Sequence, residues 1–393
     1  MKAGAMMKSS KNLKWKLMVL QFCYLAALSG FSNYLTLYLY DAGLSELQIG
    51  AVYAVGAPAT LLIQPLIGKI LDRFQNFRQM VVGGLLLFGT GVAVMPFLGV
   101  VPVLRLAMVL IVTTVSKQFG GVFDLWTYRL QAEYPGVEYG KSRGVGSIGI
   151  GVATLVMGYL IEWWGFGALF SVTVTLLVIV TAASLQMPNP SGNAPADPKK
   201  QRCDDCGRIW QGPVLWYVAS FLVLKISVTV IHVFSSLLVE RLGGATSTYG
   251  LTILLCAITE VFIFTYWGRC CDKLRPRLAY LLCVGVVLVG SIWTSLAPNI
   301  PLFMAGRIML TIAYAMYTIF NLQYIRDHVS ERAQGRVFLT LSALSSGVGY
   351  GVSSLLGGII MELGSPVTMA AVTGAITVAA FLLHFGAFPR EKA

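Results

Sequence analysis

The string Gly68-Lys69-Ile70-Leu71-Asp72-Arg73 (GKILDR) returns two hundred residues later as Gly268-Arg269-Cys270-Cys271-Asp272-Lys273 (GRCCDK). Further along, Gly149, Gly151, Val152, Gly158 and Glu162 return at the same offset as Gly349, Gly351, Val352, Gly358 and Glu362. Small gaps shift the register elsewhere. Phe123-Asp124-Leu125 answers Phe320-Asn321-Leu322, and Glu138 with Arg143 answers Glu331 with Arg336. A single such pair is chance, but several in chain order, falling between equivalent apolar runs, mark a duplicated bundle. Parallel repeats of this kind place a substrate path between two halves that can rock against each other.

Hydrophobic residues make up 56% of the 393 and charged residues 12%, with a mean hydropathy of +0.73. A soluble domain carries roughly a quarter charged residues, so lipid is the solvent for most of this surface. A helix needs about 20 apolar residues to cross a bilayer. Twelve runs meet that length, at 17–40, 48–71, 79–99, 104–129, 143–164, 166–187, 213–237, 247–270, 278–297, 300–325, 337–361 and 366–388. The expected fold class is all-α integral membrane, with twelve transmembrane helices in two pseudo-symmetric six-helix bundles. The bundles span 1–187 and 213–393, and the linker at 188–212 is rich in Pro, Gly and charge.

The net charge of +12 is placed for a membrane rather than for nucleic acid. With the spans numbered and both termini inside, 24 of the 29 Lys and Arg fall on one side, and Arg105, Arg241 and Arg307 close to helix ends on the other. That bias puts the termini and the 188–212 linker in the cytoplasm of a multi-pass protein of the cell inner (plasma) membrane. The basic start followed by an apolar run could be a signal peptide, but Leu17–Tyr40 is too long for one and no small-residue cleavage site follows, so it reads as the first retained helix. The lone pair Cys203 and Cys206 is half of a zinc site at best, and no metal or cofactor is expected. No HExxH, GxSxG or Ser/His/Asp set is present, which argues against an enzyme.

A charge at the bilayer centre costs about 3 kcal/mol on insertion scales, so each one needs a reason. Lys117 and Asp124 lie seven residues apart in the fourth span, on one helical face, and Lys225 and His232 do the same in the seventh. Glu260 sits deep in the eighth span, in LLCAITEVFIFTYW. Pairing that merely locks helices together is one reading of these five residues; transport or coupling is the other. Asn33 in the first span and Asn321 in the tenth add uncharged donors and acceptors. Arg307 either faces the same cavity or anchors the outer end of the tenth span, while Tyr314, Tyr317 and Tyr324 line one side of it. The glycines of the fifth and eleventh spans let backbones approach closely, for sliding or for static packing.

The duplicated halves, the 6+6 topology and the loop GKILDRFQNFR (68–78) resemble the major facilitator superfamily, whose loop between the second and third helices carries G-x-x-x-D-R/K-x-G-R/K. Gly68, Asp72 and Arg73 match, the later Gly of the pattern is missing, and Gly268, Asp272 and Lys273 repeat the match. Within the superfamily the chain is most similar to the proton symporters that include lactose permease and the phenylpropionate permeases. LIQPLIGKILDR (62–73), EYGKSRGVGSIG (138–149) and the surroundings of Glu260 carry that likeness. The resemblance implies that Arg143 partners a carboxylate of the fourth helix, close to Asp124, and contacts substrate. The tenth span departs from lactose permease, lacking its Lys, His and Glu cluster.

These readings together set the expectation of a proton-coupled secondary transporter of a small polar or anionic organic solute, such as a carboxylate or sugar. It works by alternating access, as a monomer among membrane lipids, with protons and a small molecule as its other partners. Glu260 or Asp124 carries the proton. Asn33, Lys117, Asp124, Arg143, Lys225, His232, Arg307 and Asn321 bind substrate, and Gly68, Asp72, Arg73, Gly268, Asp272 and Lys273 form the gates. A proton-driven exporter of a drug or secreted metabolite is the alternative, because direction is not written in these residues.

Overall fold

The computed structural model describes residues 2–74, 76–100, 102–134, 139–190, 212–271, 276–329, 337, 340–341 and 343–387. Twelve helices answer the twelve apolar runs: α1 (Lys2–Asp41), α2 (Glu46–Phe74), α3 (Phe77–Val94), α4 (Pro102–Glu133), α5 (Tyr139–Trp164), α6 (Gly167–Leu185), α7 (Pro213–Val233), α8 (Thr246–Cys271), α9 (Pro276–Leu296), α10 (Ile300–His328), α11 (Tyr350–Leu363) and α12 (Pro366–Ala387). No strand occurs among the described residues. Among the described residues, ten helices are long and apolar enough to cross a membrane. In the first run Gln21, Ser29, Ser32 and Asn33 dilute the apolar sequence. The eleventh run reaches α11 through a π-helical turn at Ser345–Gly349.

Local chemistry sets the helix ends. Asn76 and Asn299 cap α3 and α10 by accepting the backbone N–H groups of Gln79 and Leu302, each at 3.1 Å. The duplication also reaches the turns. Gly43 after α1 and Gly243 after the short helix Ser235–Arg241 that continues α7 both hold positive φ, 89° and 75°. Their N–H groups bond to the carbonyls of Tyr40 and Glu240, and the next N–H groups, of Leu44 and Gly244, reach back to Leu39 and Val239. This is the same paired C-terminal cap built twice.

The chain packs as two compact units that do not follow chain order. Unit one comprises Met1–Tyr38, Pro58–Lys200 and Ala245–Ala257; unit two comprises Leu39–Ala57, Gln201–Gly244 and Ile258–Ala393. The first turns of α2 thus pack with later sequence, and the first turns of α8 with earlier sequence. In unit one, Phe31 meets Phe88 and Phe170 edge-on, and Tyr24 stacks on Phe123 with centroids 4.1 Å apart. Unit two has its own aromatic core around Tyr217, Tyr280, Phe320 and Tyr324. There the Ser227 hydroxyl ties α7 to α12 through Thr377, at 2.8 Å.

Each unit contains the same clasp. In unit one α5 and α8 touch backbone to backbone: a Cβ on Gly250 would lie 2.6 Å from the Cα of Leu155, and one on Gly158 would lie 2.7 Å from the carbonyl of Thr246. Glu162 then accepts the N–H of Ser247, in the first turn of α8, at 2.6 Å. In unit two a Cβ on Gly358 of α11 would lie 2.6 Å from the carbonyl of Glu46, and one on Gly50 would strike the carbonyl of Ser354. Here Glu362 accepts the N–H of Leu47, in the first turn of α2, at 3.2 Å. A carboxylate placed on the open N–H groups of a helix start satisfies a donor and opposes the positive end of the helix dipole. The recurrence of Gly158 and Glu162 as Gly358 and Glu362 therefore preserves a contact. Unit two adds Arg241, which pairs with Glu46 and donates to the carbonyl of Met361 at 3.0 Å.

Candidate functional site

In unit one the polar centre is built by α1, α4 and α5. Helical spacing brings Asp124 of α4 toward Arg143 of α5, with Arg143 Nε 4.0 Å from Asp124 Oδ1 and both side chains over a third exposed. Gln21 of α1 donates its amide to the same carboxylate oxygen at 3.3 Å. The ion pair is at the limit of contact, and the atoms around it are vacant. Gln21 Oε1, the Tyr24 hydroxyl and Arg143 Nη1 are buried with no hydrogen-bond partner among the described residues. Buried polar atoms ordinarily have partners, because an unmade bond costs about 1–3 kcal/mol. Three in one place leave hydrogen-bonding capacity beside the Asp124–Arg143 pair that the described protein groups do not use.

Lys117 is half-buried on α4, two helical turns before Asp124. Asn33 donates to Thr154 Oγ1 at 2.8 Å, and the adjacent Tyr34 hydroxyl reaches the Thr154 carbonyl at 2.8 Å, so this part of α1 is tied to α5.

In unit two α7 and α10 run antiparallel and meet in a ladder. Arg307 and His232 form its first rung, with Nη2 3.1 Å from Nδ1. The second rung is Lys225, whose ammonium stands 4.2 Å from the centroid of the Tyr314 ring. Phe221 stacked on Tyr317 follows, and then Tyr217 stacked on Tyr324, with centroids 4.1 and 3.6 Å apart. The Tyr217 hydroxyl donates to Asn321 Oδ1 at 3.0 Å, which places Asn321 within the aromatic end. One end of the ladder is cationic and the other aromatic. The regular rungs follow from the seven-residue spacing of Lys225 and His232 on α7 and of Arg307 and Tyr314 on α10, two turns in each case.

Glu260 is half-buried on α8, between Ile258 and Phe262, both exposed. Of the gate residues expected from sequence, Asp272 and Lys273 lie outside the described residues. Gly68, Asp72, Arg73 and Gly268 fall on α2 and α8, with their side chains outside the described set. Among the described residues no group of His, Cys, Asp and Glu could hold a metal ion.

Residues 14–371 match the model of the MFS_1 like family. The chain belongs to that family. It is 28% identical to a maltose permease of Geobacillus stearothermophilus over 342 residues, covering 84% of this chain and 82% of the relative. It is 26% identical to a staphyloferrin B transporter of Staphylococcus aureus over 381 residues, covering 91% and 88%. Among solved structures, the nucleoside transporter NupG superposes with a TM-score of 0.79 at 15% identity, covering 95% of this chain and 98% of that one. A bacterial homologue of ferroportin in an inward-facing state gives 0.77 at 14% identity, covering 96% and 99%. The protein is therefore a multi-pass membrane transporter of the major facilitator fold, and not an enzyme.

Gln21 and Tyr24 were invisible to a search for buried charge. A glutamine one turn before a tyrosine inside an otherwise apolar run was the available signal.

Proposed function

We propose that this chain is a proton-coupled secondary transporter of a small polar or anionic organic solute, moved by alternating access. The observation that carries the reading is the loose Asp124–Arg143 pair with three vacant polar atoms around it. A tight ion pair would serve structure alone. A long, partly wet one can exchange its partner for a ligand or release its carboxylate to a proton. The relatives bear the names of a maltose permease and a staphyloferrin B transporter, so oxygen-rich organic solutes are the class to test first.

In this scheme Asp124 or Glu260 takes the proton. Each proton moving inward gains about 2.3 kcal/mol per 100 mV of membrane potential. Arg143, Lys117, Asn33 and Asn321 serve the solute, together with the cationic rungs of α7 and α10. Asp72 and Asp272, with Gly68, Arg73, Gly268 and Lys273, act as cytoplasmic gates in a plasma-membrane protein with both termini inside. The two six-helix halves are joined by the linker at 188–212.

The test is flux in proteoliposomes under an imposed pH gradient of either direction, with labelled maltose, citrate and uridine. Accumulation that follows the gradient supports coupling. Asp124→Asn should abolish accumulation while sparing exchange of solute across the membrane. Full gradient-driven accumulation in both Asp124→Asn and Glu260→Gln would remove the proton assignment.

A further inference from the structure

Arg307 is 4% exposed, and its Nε is buried without an acceptor. Among the described residues its one side-chain partner is His232. A guanidinium has only donors, so His232 Nδ1 must accept, which places the ring proton on Nε2 and leaves the imidazole neutral. His232 therefore orients Arg307 without offsetting its charge. Lys225, one rung along and within electrostatic reach of His232, adds a second positive charge and rests on the face of Tyr314. No described carboxylate comes within ion-pair distance of any of the three.

Glu46, the acid at the start of α2, is already engaged by Arg241. A buried charge without a counter-ion is costly, and proteins that keep one supply its partner from elsewhere. His232 itself is exposed, so the rung is open to a solute.

We infer that the transported solute carries a carboxylate or a similar oxyanion, and that Arg307, oriented by His232 and assisted by Lys225, is its docking point. This deepens the transporter reading and rests on it for the word "transported". The Arg307–His232 rung and Lys225 lie two turns of α7 apart, about 10 Å along its axis. A monocarboxylate engages the first, and a longer dicarboxylate reaches both. The Arg307 Nε–H, part of the charged guanidinium, and the Nε2–H of His232 are donors left over for the oxygens of an anion.

The test is thermal unfolding of the purified full-length chain in neutral detergent. Acetate, succinate and citrate are titrated at constant ionic strength, with maltose and uridine as neutral comparators and phosphatidylglycerol as the lipid-headgroup arm. Carboxylates should raise the midpoint saturably, and the neutral solutes should not. Arg307→Met should erase the carboxylate-dependent rise. Its midpoint without anion should equal or exceed that of the wild type, since an uncompensated buried charge has gone; a merely structural arginine would instead lower it. Lys225→Met should weaken the apparent affinity for succinate about tenfold, the effect of losing one charged contact.

The inference falls if no carboxylate protects the wild type, if Arg307→Met is protected as well as the wild type, or if only phosphatidylglycerol protects, which would make the site a lipid-headgroup seat. The two readings fail separately in proteoliposomes. Gradient-driven flux of maltose untouched by Arg307→Met sinks the anion site and spares the transporter. Carboxylate binding without flux of any solute does the reverse.

Discussion

Gly250→Ala should open the α5–α8 clasp. The added methyl would lie 2.6 Å from the Cα of Leu155, 2.7 Å from the carbonyl of Thr154 and 3.0 Å from the N of Leu155. All three are backbone atoms, so no side chain can rotate away, and α5 must retreat by about 1 Å to restore van der Waals distance. That retreat strains two bonds, from the Ser247 N–H to Glu162 at 2.6 Å and from the Thr246 hydroxyl to the Gly158 carbonyl at 2.8 Å. Overpacking costs about 1–3 kcal/mol, and each weakened bond about 1 kcal/mol more. Alanine returns about 1 kcal/mol through its helix propensity.

The net, about 3 kcal/mol, shifts the balance between the clasped and parted arrangements by roughly two orders of magnitude. The readout is the rate of maleimide labelling of a cysteine placed at Ser247, in a variant lacking the seven native cysteines. Gly285→Ala is the comparator, because its methyl meets nothing within 4 Å. If Gly250→Ala and Gly285→Ala label at the same rate, the close approach of α5 and α8 is not what holds the clasp.

Other outcomes follow from the same geometry. Arg143→Gln should lose solute flux by two orders of magnitude or more while changing stability by less than about 1 kcal/mol, since both side chains of the 4.0 Å pair are over a third exposed; flux and thermal unfolding on one preparation check both. Glu162→Gln and Glu362→Gln should each cost about 0.5–2 kcal/mol through the lost helix-start contact, and the double variant should be additive because the two lie in different units, as measured by denaturant unfolding. Glu240, beside the turn at Gly243, has its carboxyl raised above the ordinary 4.5, first by desolvation and then by Asp41, with Arg241 opposing. The ionised form is thus disfavoured in the folded chain, a cost present at neutral pH that disappears as pH falls through the raised value to below 4.5. Glu240→Gln should therefore stabilise at pH 7, and that gain should vanish in unfolding midpoints taken down to pH 4.

Much of the fold was legible because lipid imposes a coarse rule: apolar runs of bilayer length survive any local irregularity, and twelve of them became α1–α12. The recurrence of Gly158 and Glu162 was legible as repetition, but its cause was not. Which backbone a missing Cβ admits depends on a helix distant in sequence, and Gly50 and Gly250, the other halves of those contacts, recur at the same offset without standing out among 41 glycines. Charge inside an apolar run is loud, so Lys117, Asp124, Lys225, His232 and Arg307 could be picked out. The aromatic end of the ladder was visible only as a stripe on α10, since its stacking partners Tyr217 and Phe221 belong to α7. Neutral side chains differ in what they touch: Asn33 bonds to Thr154 and Asn321 to Tyr217, whereas Gln21, in the same chemical class, reaches the Asp124 carboxylate.

The exchange of segments between the compact units bears on how the protein is made. When the ribosome has delivered α6 to the translocon, the start of α2 still lacks Glu362 and Arg241, and Gly158 of α5 still faces no helix. A nascent chain at that stage can insert its helices but not complete either unit, so membrane proteases meet its unfinished surfaces until α8 and then α11 emerge. Half-chains expressed alone should be short-lived, and co-expression of the complementary piece should rescue them.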